Sequence, residues 1–274
     1  MNTFLVSFTR VAALAVGLVV SMIAHQAMAR SSASSSVIVN PERVIPFAKS
    51  VERELASQGA RVAIVARVGR NPDDMPDGIE YTHVAFWVYS DIETADGKTV
   101  RGYAIHNLYQ EPDDAGRSFL TIDYPAHFFG EVFDLRAGVI IPTPQVQEKL
   151  LRIIASPTYK SLHNPNYSLV ANPFRDDYQN CTNFVLRNLV AAIYGTDDKA
   201  QITANIAAHF TPQRVGLSGL QWAFGPLFVD GFETSDHDGP IRTSTFGALG
   251  RFMDKYGMTQ AQFEVDETAE ISSR

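Results

Sequence analysis

The chain has 274 residues but only one cysteine, Cys181. A single cysteine excludes an intramolecular disulfide, so packing and hydrogen bonds alone must hold the fold. An unpaired thiol is a liability in an oxidising compartment, which favours a reactive role for Cys181. The alternative is a small buried hydrophobe, because free cysteine is often fully buried.

Clusters of lysine and arginine are also missing, and the net charge is −7. This balance argues against nucleic acid and against anionic lipid surfaces as partners. No internal repeat is visible, and a chain of this length can bury a sizeable core without disulfides.

Only one long hydrophobic run occurs, from Val11 to Ala24. It follows Arg10 and precedes the small-residue site Ala27-Met28-Ala29, and it is shorter than the roughly 20 apolar residues that a spanning helix needs. This layout predicts a signal peptide over residues 1–29, followed by a flexible serine-rich leader over residues 30–40. We therefore expect a periplasmic or secreted protein with no stable membrane span after cleavage.

Hydrophobic periodicity predicts an α+β domain over residues 41–195, in which an antiparallel sheet packs on the cysteine-bearing helix. The predicted helices cover residues 41–57, 144–154 and 181–194, and the main predicted strands cover residues 61–67, 81–89, 99–109 and 137–142. Residues 196–274 are expected to form a helical C-terminal extension with a disordered acidic tail. Its apolar part, residues 217–229, is expected to pack against the core.

The segment Tyr178–Val190 places Cys181 at the start of a helix. Asn180 is a favourable N-cap, so Cys181 becomes the first helical residue. Free backbone N–H groups and the helix dipole at this position favour a thiolate and lower a thiol pKa from about 8.5 toward neutrality. The pattern predicts a nucleophile.

Two histidines on neighbouring predicted strands are candidates for the base that a thiol nucleophile needs. Alternation along residues 81–89 places His83 on the same face as Trp87. A two-residue turn at Asp96-Gly97 would put His106 opposite Trp87, hence on the face of His83. We expect His83 to be the base and His106 to orient it. Rival bases are His127, His163 and His209. A zinc site formed by Cys181 and two histidines is a further alternative.

These residues resemble motifs of the circularly permuted papain-like thiol enzymes, especially the lecithin:retinol acyltransferase-like branch. The similarity covers residues 62–194 and is carried by Thr82-His83-Val84-Ala85, by His106 and by Asn180-Cys181-Thr182-Asn183-Phe184-Val185. Thr182-Asn183 replaces the acidic residue and histidine that follow the cysteine in that branch. The whole chain is also similar to an uncharacterised exported bacterial family of unknown function.

The resemblance implies a cysteine-dependent hydrolase or acyltransferase acting on an amide or ester of the cell envelope, such as a cell-wall peptide or an acyl group. No cofactor or metal is expected. The predicted site comprises Cys181 as nucleophile, His83 and His106 as base and orienting residue, Asn180 supporting an oxyanion with the Cys181 backbone N–H, and Tyr81, Trp87 and Tyr178 lining a cleft. The alternative is a non-catalytic envelope binding module that keeps the fold around an inert, buried cysteine.

Overall fold

The structure is a computed structural model that describes residues 37–94, 96–216 and 231–267. The predicted signal peptide, most of the leader, the apolar segment 217–229 and the last seven residues of the tail lie outside these ranges. Within them the chain is a mixed α+β fold, as the sequence predicts.

A six-stranded sheet forms the centre of the fold, and each of its described ladders is antiparallel. Its strand order is β10-β7-β2-β3-β4-β5. The strands are β2 (Val62–Val68), β3 (His83–Glu93), β4 (Thr99–Gln110), β5 (Ser118–Asp123), β7 (Asp134–Pro142) and β10 (Thr259–Asp266). Two short ladders join β1 (Val37–Ile38) to β6 (Glu131–Val132) and β8 (Gln213–Arg214) to β9 (Arg242–Thr243).

The helices described by the structure flank this sheet. They are α1 (Pro41–Ser57), α2 (Pro125–Phe128), α3 (Pro144–Ile154), α4 (Pro157–Ser161), α5 (Cys181–Tyr194), α6 (Lys199–His209) and α7 (Phe246–Lys255). Across the described part of the chain, none of them is long and apolar enough to cross a bilayer. The predicted bounds of α1, α3 and α5 are confirmed.

Helix α5 is the most deeply buried helix beside the sheet. Its side chains from Cys181 to Ala192 are all buried, because the helix packs against β3 and is covered by α3 and α6. A helix that is enclosed on all sides cannot keep a polar face. The buried Arg187 is accommodated through a hydrogen bond to the carbonyl of Arg175 and an ion pair with Asp176.

The sheet separates two hydrophobic layers, and strand alternation decides which side chain enters each. On β3, Val84 and Phe86 face α5, whereas Ala85 and Trp87 face α1. Cys181 belongs to the α5 layer. Neighbouring residues on β3 or β4 therefore face opposite layers, one toward α5 and the next toward α1.

The register of the β3–β4 hairpin differs from the predicted one. Glu93 pairs with Thr99, so five residues connect the strands instead of the predicted two. His106 consequently lies opposite Phe86, not opposite Trp87. Because side chains alternate with a period of two, this shift of one position moves His106 to the other face of the sheet.

The C-terminal region is more closely integrated than predicted. Its helices α6 and α7 are present, but Thr259–Asp266 forms β10, which pairs with β7 at the edge of the main sheet. Residues 37 and 38 of the predicted leader likewise pair with β6. Neither segment could be identified from local pattern, because both are fixed by distant strands.

Candidate functional site

The N-terminus of α5 is organised by the side chain of Asn180. Its Oδ1 accepts a hydrogen bond from the Asn183 N–H at 2.8 Å, which is the predicted cap. Its Nδ2 donates to the Leu169 carbonyl and to Thr243 Oγ1, each at 3.1 Å. Both amide hydrogens are thus engaged, so the side chain is not a free oxyanion donor and Asn180 supports the site by fixing the helix start.

Cys181 is 6% exposed and lines a small cavity of about 60 Å3. Polar groups share this cavity, among them Thr82, Thr182 and Ser244. Thr182 Oγ1 lies 3.9 Å from Sγ. The sulfur is therefore buried next to hydroxyl groups and is not enclosed by hydrocarbon alone.

The pKa of the Cys181 thiol is raised, contrary to the lowering expected from its position. Burial disfavours the thiolate, and the backbone N–H groups of Val84 and Thr182 and the Thr182 hydroxyl only partly offset this penalty. The resting site therefore holds a protonated thiol at neutral pH. Cys181 and Val84, the residue after His83, belong to the same buried cluster.

The imidazole of His83 is fully buried and held in one orientation by β4. Its Nε2 lies 2.9 Å from Asn107 Oδ1, and its ring stacks on Tyr109 with centroids 4.8 Å apart. Asn107 Nδ2 donates to Asp123 Oδ2 at 2.7 Å. Asp123 also has an ion pair with His127.

This chain of contacts determines which nitrogen of His83 carries the proton. Burial alone would raise the pKa of Asp123, but interactions with His127, Tyr109 and Asn107 lower it, so its carboxylate is ionised and only accepts hydrogen bonds. Asn107 must therefore turn its NH2 group toward Asp123 and its oxygen toward His83. Nε2 of His83 then carries the hydrogen, which leaves Nδ1 with a free lone pair.

The environment of His83 keeps the ring neutral. Burial, with a smaller contribution from the positive charge of Arg67, lowers its pKa to about 3. Within the described residues, Nδ1 is buried without a hydrogen-bond partner. His83 is therefore a buried, uncharged imidazole with one bare nitrogen, and a pKa this low makes it a weak base in the resting structure.

Cys181 and His83 approach β3 from different layers. The imidazole packs near Phe128 in the α1 layer, whereas the thiol lies in the α5 layer. Among the described side chains, no hydrogen bond joins Sγ to an imidazole. The two groups are therefore on opposite faces of the sheet, linked in sequence by Val84, which packs in the layer of Cys181 and directly follows His83.

His106 does not orient His83. Its ring packs edge-on against Tyr159 with centroids 5.7 Å apart, and burial lowers its pKa to about 4. Asn107, the next residue, takes the orienting position, and Asp123 supports Asn107. Neither role was predicted, because the expected hairpin register placed His106, not Asn107, on the face of His83.

The predicted cleft residues have three different environments. Tyr81 borders the Cys181 cavity and a second, larger cavity. Trp87 is fully buried among Phe128, Phe129 and Tyr103, so the prediction that it lines a cleft is wrong. The Tyr178 hydroxyl lies 3.1 Å from Ser235 Oγ.

The rival histidines each have a partner of their own. His127 Nδ1 lies 3.0 Å from Asp123 Oδ1, His163 Nε2 lies 3.0 Å from Ser118 Oγ, and His209 Nδ1 lies 3.1 Å from the Tyr256 hydroxyl. In the part of the chain that the structure covers, no group of three or more His, Cys, Asp or Glu side chains is arranged to hold a metal ion.

Comparison with known proteins gives a family without an assigned activity. Neither the curated proteins nor the solved structures contain a match. A bacterial family described as "Uncharacterized protein conserved in bacteria (DUF2145)" matches residues 54–253, a range that contains Cys181, His83, Asn107 and Asp123. Since this match spans most of the chain, the protein belongs to that uncharacterised, conserved bacterial family.

Proposed function

We propose that the protein is an exported cysteine-dependent hydrolase or acyltransferase that acts on an amide or ester of the cell envelope. Cys181 is the nucleophile, His83 is the base and Asn107 orients the base. We also propose that the packing of α5 on β3 is a permuted papain-like arrangement. The observation that carries the proposal is the fixed tautomer of His83, whose buried Nδ1 has no hydrogen-bond partner among the described residues, on a strand against which the Cys181 helix packs.

The proposed reaction begins when Nδ1 of His83 takes the proton of the Cys181 thiol. The sulfur attacks the substrate carbonyl carbon, and the negative charge that forms on the oxygen is met by backbone N–H groups at the start of α5. The carbon–nitrogen or carbon–oxygen bond then breaks, and His83 returns the proton to the leaving group. Water or an acceptor alcohol or amine finally releases the acyl group from sulfur.

Proton transfer requires the sulfur and the imidazole to come closer than they are in the resting structure. Catalytic hydrogen bonds are often long without substrate and tighten when it binds. Substrate entering the small cavity beside Cys181 would press on Thr82, the neighbour of His83. The neutral thiol and neutral imidazole of the resting site fit a proton transfer that starts only after this approach.

The burial of the thiol favours a second candidate, a non-catalytic binding module. In that case the raised pKa of Cys181 reflects an inert core residue, and His83 is a buried polar group satisfied by Asn107 alone. Both candidates use the same fold, so they differ only in whether Cys181 can be acylated.

Acylation by an activated ester separates the two functions. The purified full chain is incubated with p-nitrophenyl acetate, and acetylated Cys181 is quantified by mass spectrometry. We expect Cys181→Ala to abolish the adduct and His83→Gln to slow its formation by about 100-fold or more, since general-base catalysis contributes that much. His209→Gln, on a distant exposed helix, is the control. Equal rates in the wild type and His83→Gln, or no adduct unless the protein is denatured, would favour the binding module.

A further inference from the structure

A second cavity of about 360 Å3 adjoins the small cavity at Cys181. The two share Tyr81 and Thr245 as walls. This larger cavity, which we call the Tyr81 cleft, has a volume typical of a small-molecule site. If the carbonyl of a substrate lies at Cys181, the group attached to that carbonyl would extend into the Tyr81 cleft.

The floor of the Tyr81 cleft is rigid. Tyr81 and Phe246 pack edge to face with ring centroids 4.8 Å apart. The close approach depends on Gly138, because a Cβ there would lie 2.6 Å from the Phe246 ring and 2.7 Å from the Tyr81 ring. The Tyr81 hydroxyl donates to Glu264, whose carboxylate also contacts Arg136 Nη1 at 3.4 Å. The charge of Glu264 is thus already compensated.

Three other polar side chains on the Tyr81 cleft remain uncommitted. Arg251, Glu80 and Gln262 all border the cavity. Among the described residues, none of the three has a side-chain hydrogen bond or an ion pair, and Arg251 and Glu80 do not pair with each other. The cavity therefore presents a cation and an anion that form no ion pair with each other, both exposed to solvent, together with an exposed amide that can both donate and accept.

This pattern is complementary to a zwitterion. A guanidinium binds a carboxylate through two parallel hydrogen bonds, and a carboxylate binds an ammonium group. A lipid acyl chain offers no group that could pair with either charge. The charges favour an amino-acid end group over a fatty acyl group.

We propose that the Tyr81 cleft binds an amino-acid residue whose α-amino and α-carboxylate groups are both free, with the carboxylate on Arg251 and the ammonium on Glu80. Such a residue is joined to the rest of the substrate through its side chain. This inference rests on the proposed function, in which the side-chain amide of the bound residue passes Tyr81 and Thr245 to reach Cys181. The substrate class is therefore a side-chain-linked amide of an amino acid, as in a peptide crosslink.

The experiment uses L-glutamine as the probe, because it combines a free zwitterionic end with a side-chain amide. Binding to Cys181→Ala protein is measured by NMR titration, so that no reaction can occur. N-acetyl-L-glutamine lacks the ammonium group and L-glutaminamide lacks the carboxylate. We expect each of these two analogues to bind at least about tenfold more weakly than L-glutamine. L-glutamine itself should bind Arg251→Met or Glu80→Gln protein, each also carrying Cys181→Ala, at least about tenfold more weakly than it binds Cys181→Ala protein.

Matched controls make the result specific. Arg251→Lys keeps the charge and should retain part of the affinity, and Arg152→Met removes an exposed arginine of α3 and should change nothing. Failure of L-glutamine to bind, or unchanged affinity in Arg251→Met, overturns the assignment of the cleft. L-glutamine binding with these determinants, together with no acylation of Cys181 in the wild type, would support the cleft and reject only the proposed catalysis.

Discussion

Asn107 Oδ1 receives the Nε2 hydrogen of His83 across the β3–β4 ladder at 2.9 Å. The direction of this bond is imposed from the far side of Asn107, where the Asp123 carboxylate accepts from its NH2 group. A carboxylate on β5 thus decides the protonation pattern of an imidazole on β3.

Replacing Asn107 by leucine should allow both neutral tautomers of His83 to be populated. Without the Asn107 oxygen, the Nε2–H form loses its acceptor, and a mixture of tautomers replaces the single one. Nitrogen-15 NMR of the labelled imidazole measures the ratio in the wild type and in Asn107→Leu. His106→Leu, which changes the neighbouring residue on the opposite face, should leave the ratio unchanged. A larger effect from His106→Leu would restore His106 as the orienting residue.

Acid should destabilise the protein through His83. Its pKa is lowered to about 3 in the folded state, whereas an unfolded histidine titrates near 6.5, so stability is present above pH 6.5 and is lost as pH falls toward 3. The loss is on the order of several kcal/mol in total. The pKa of His127 is raised, mainly by its hydrogen bond to Asp123, so acidification has the opposite effect at this residue and favours the folded state.

Urea unfolding at pH 7 and pH 4 measures this effect. The free energy of unfolding should fall less with acidification in His83→Gln than in the wild type. His209→Gln is the control and should follow the wild type. An identical acid response in His83→Gln and in the wild type would show that His83 is not the buried titrating group.

Asn180 on α5 and Asp198 on α6 are both side-chain N-caps, and comparing them separates the further role of Asn180 from simple capping. Asn180→Ala removes the cap of α5 and leaves the Leu169 carbonyl and Thr243 without their donor. Asp198→Ala removes only the exposed cap of α6, where Oδ1 accepts from Ala200 and Gln201. We expect a loss of about 2–5 kcal/mol for Asn180→Ala and about 1 kcal/mol for Asp198→Ala in urea unfolding. Equal losses would mean that the two donor bonds of Asn180 contribute little.

A methyl group at Gly138 should disturb the floor of the Tyr81 cleft. Gly138→Ala places a Cβ against the Tyr81 and Phe246 rings, and overpacking of this kind costs about 1–3 kcal/mol. Gly239→Ala is the matched control, because the added Cβ meets no atom within 4 Å. Thermal unfolding should show a lower midpoint for Gly138→Ala alone. A midpoint equal to that of Gly239→Ala would indicate that the two rings yield easily.

Local sequence signals were sufficient to predict the helix that carries the nucleophile. Asn180 caps α5, and Gly195 ends it in the left-handed conformation at φ 65°. Both residues act within one turn of the helix end that they define. The same holds for α1 and α3, where a proline at the first helical position marks the start.

Features that depend on distant parts of the chain could not be predicted from local sequence signals. The number of residues in the β3–β4 connection decides the face of His106, and Asp96-Gly97 suggested a shorter turn than the one that forms. Seven of the eight residues of β10 are exposed or half-exposed, and its place is set by β7, more than a hundred residues earlier. The thiol pKa follows the same logic, because the burial that raises it comes from packed neighbours and not from its own helix.

The edge position of β10 has a consequence for biosynthesis. Gln262 and Glu264, which form one wall of the Tyr81 cleft, belong to a strand that is synthesised after the walls formed by residues 78–81 and 245–251. A nascent chain therefore contains the sulfur, the imidazole and its amide partner before it has a completed ligand cavity. Any activity that depends on this cavity would begin only after β10 has been synthesised and has paired with β7.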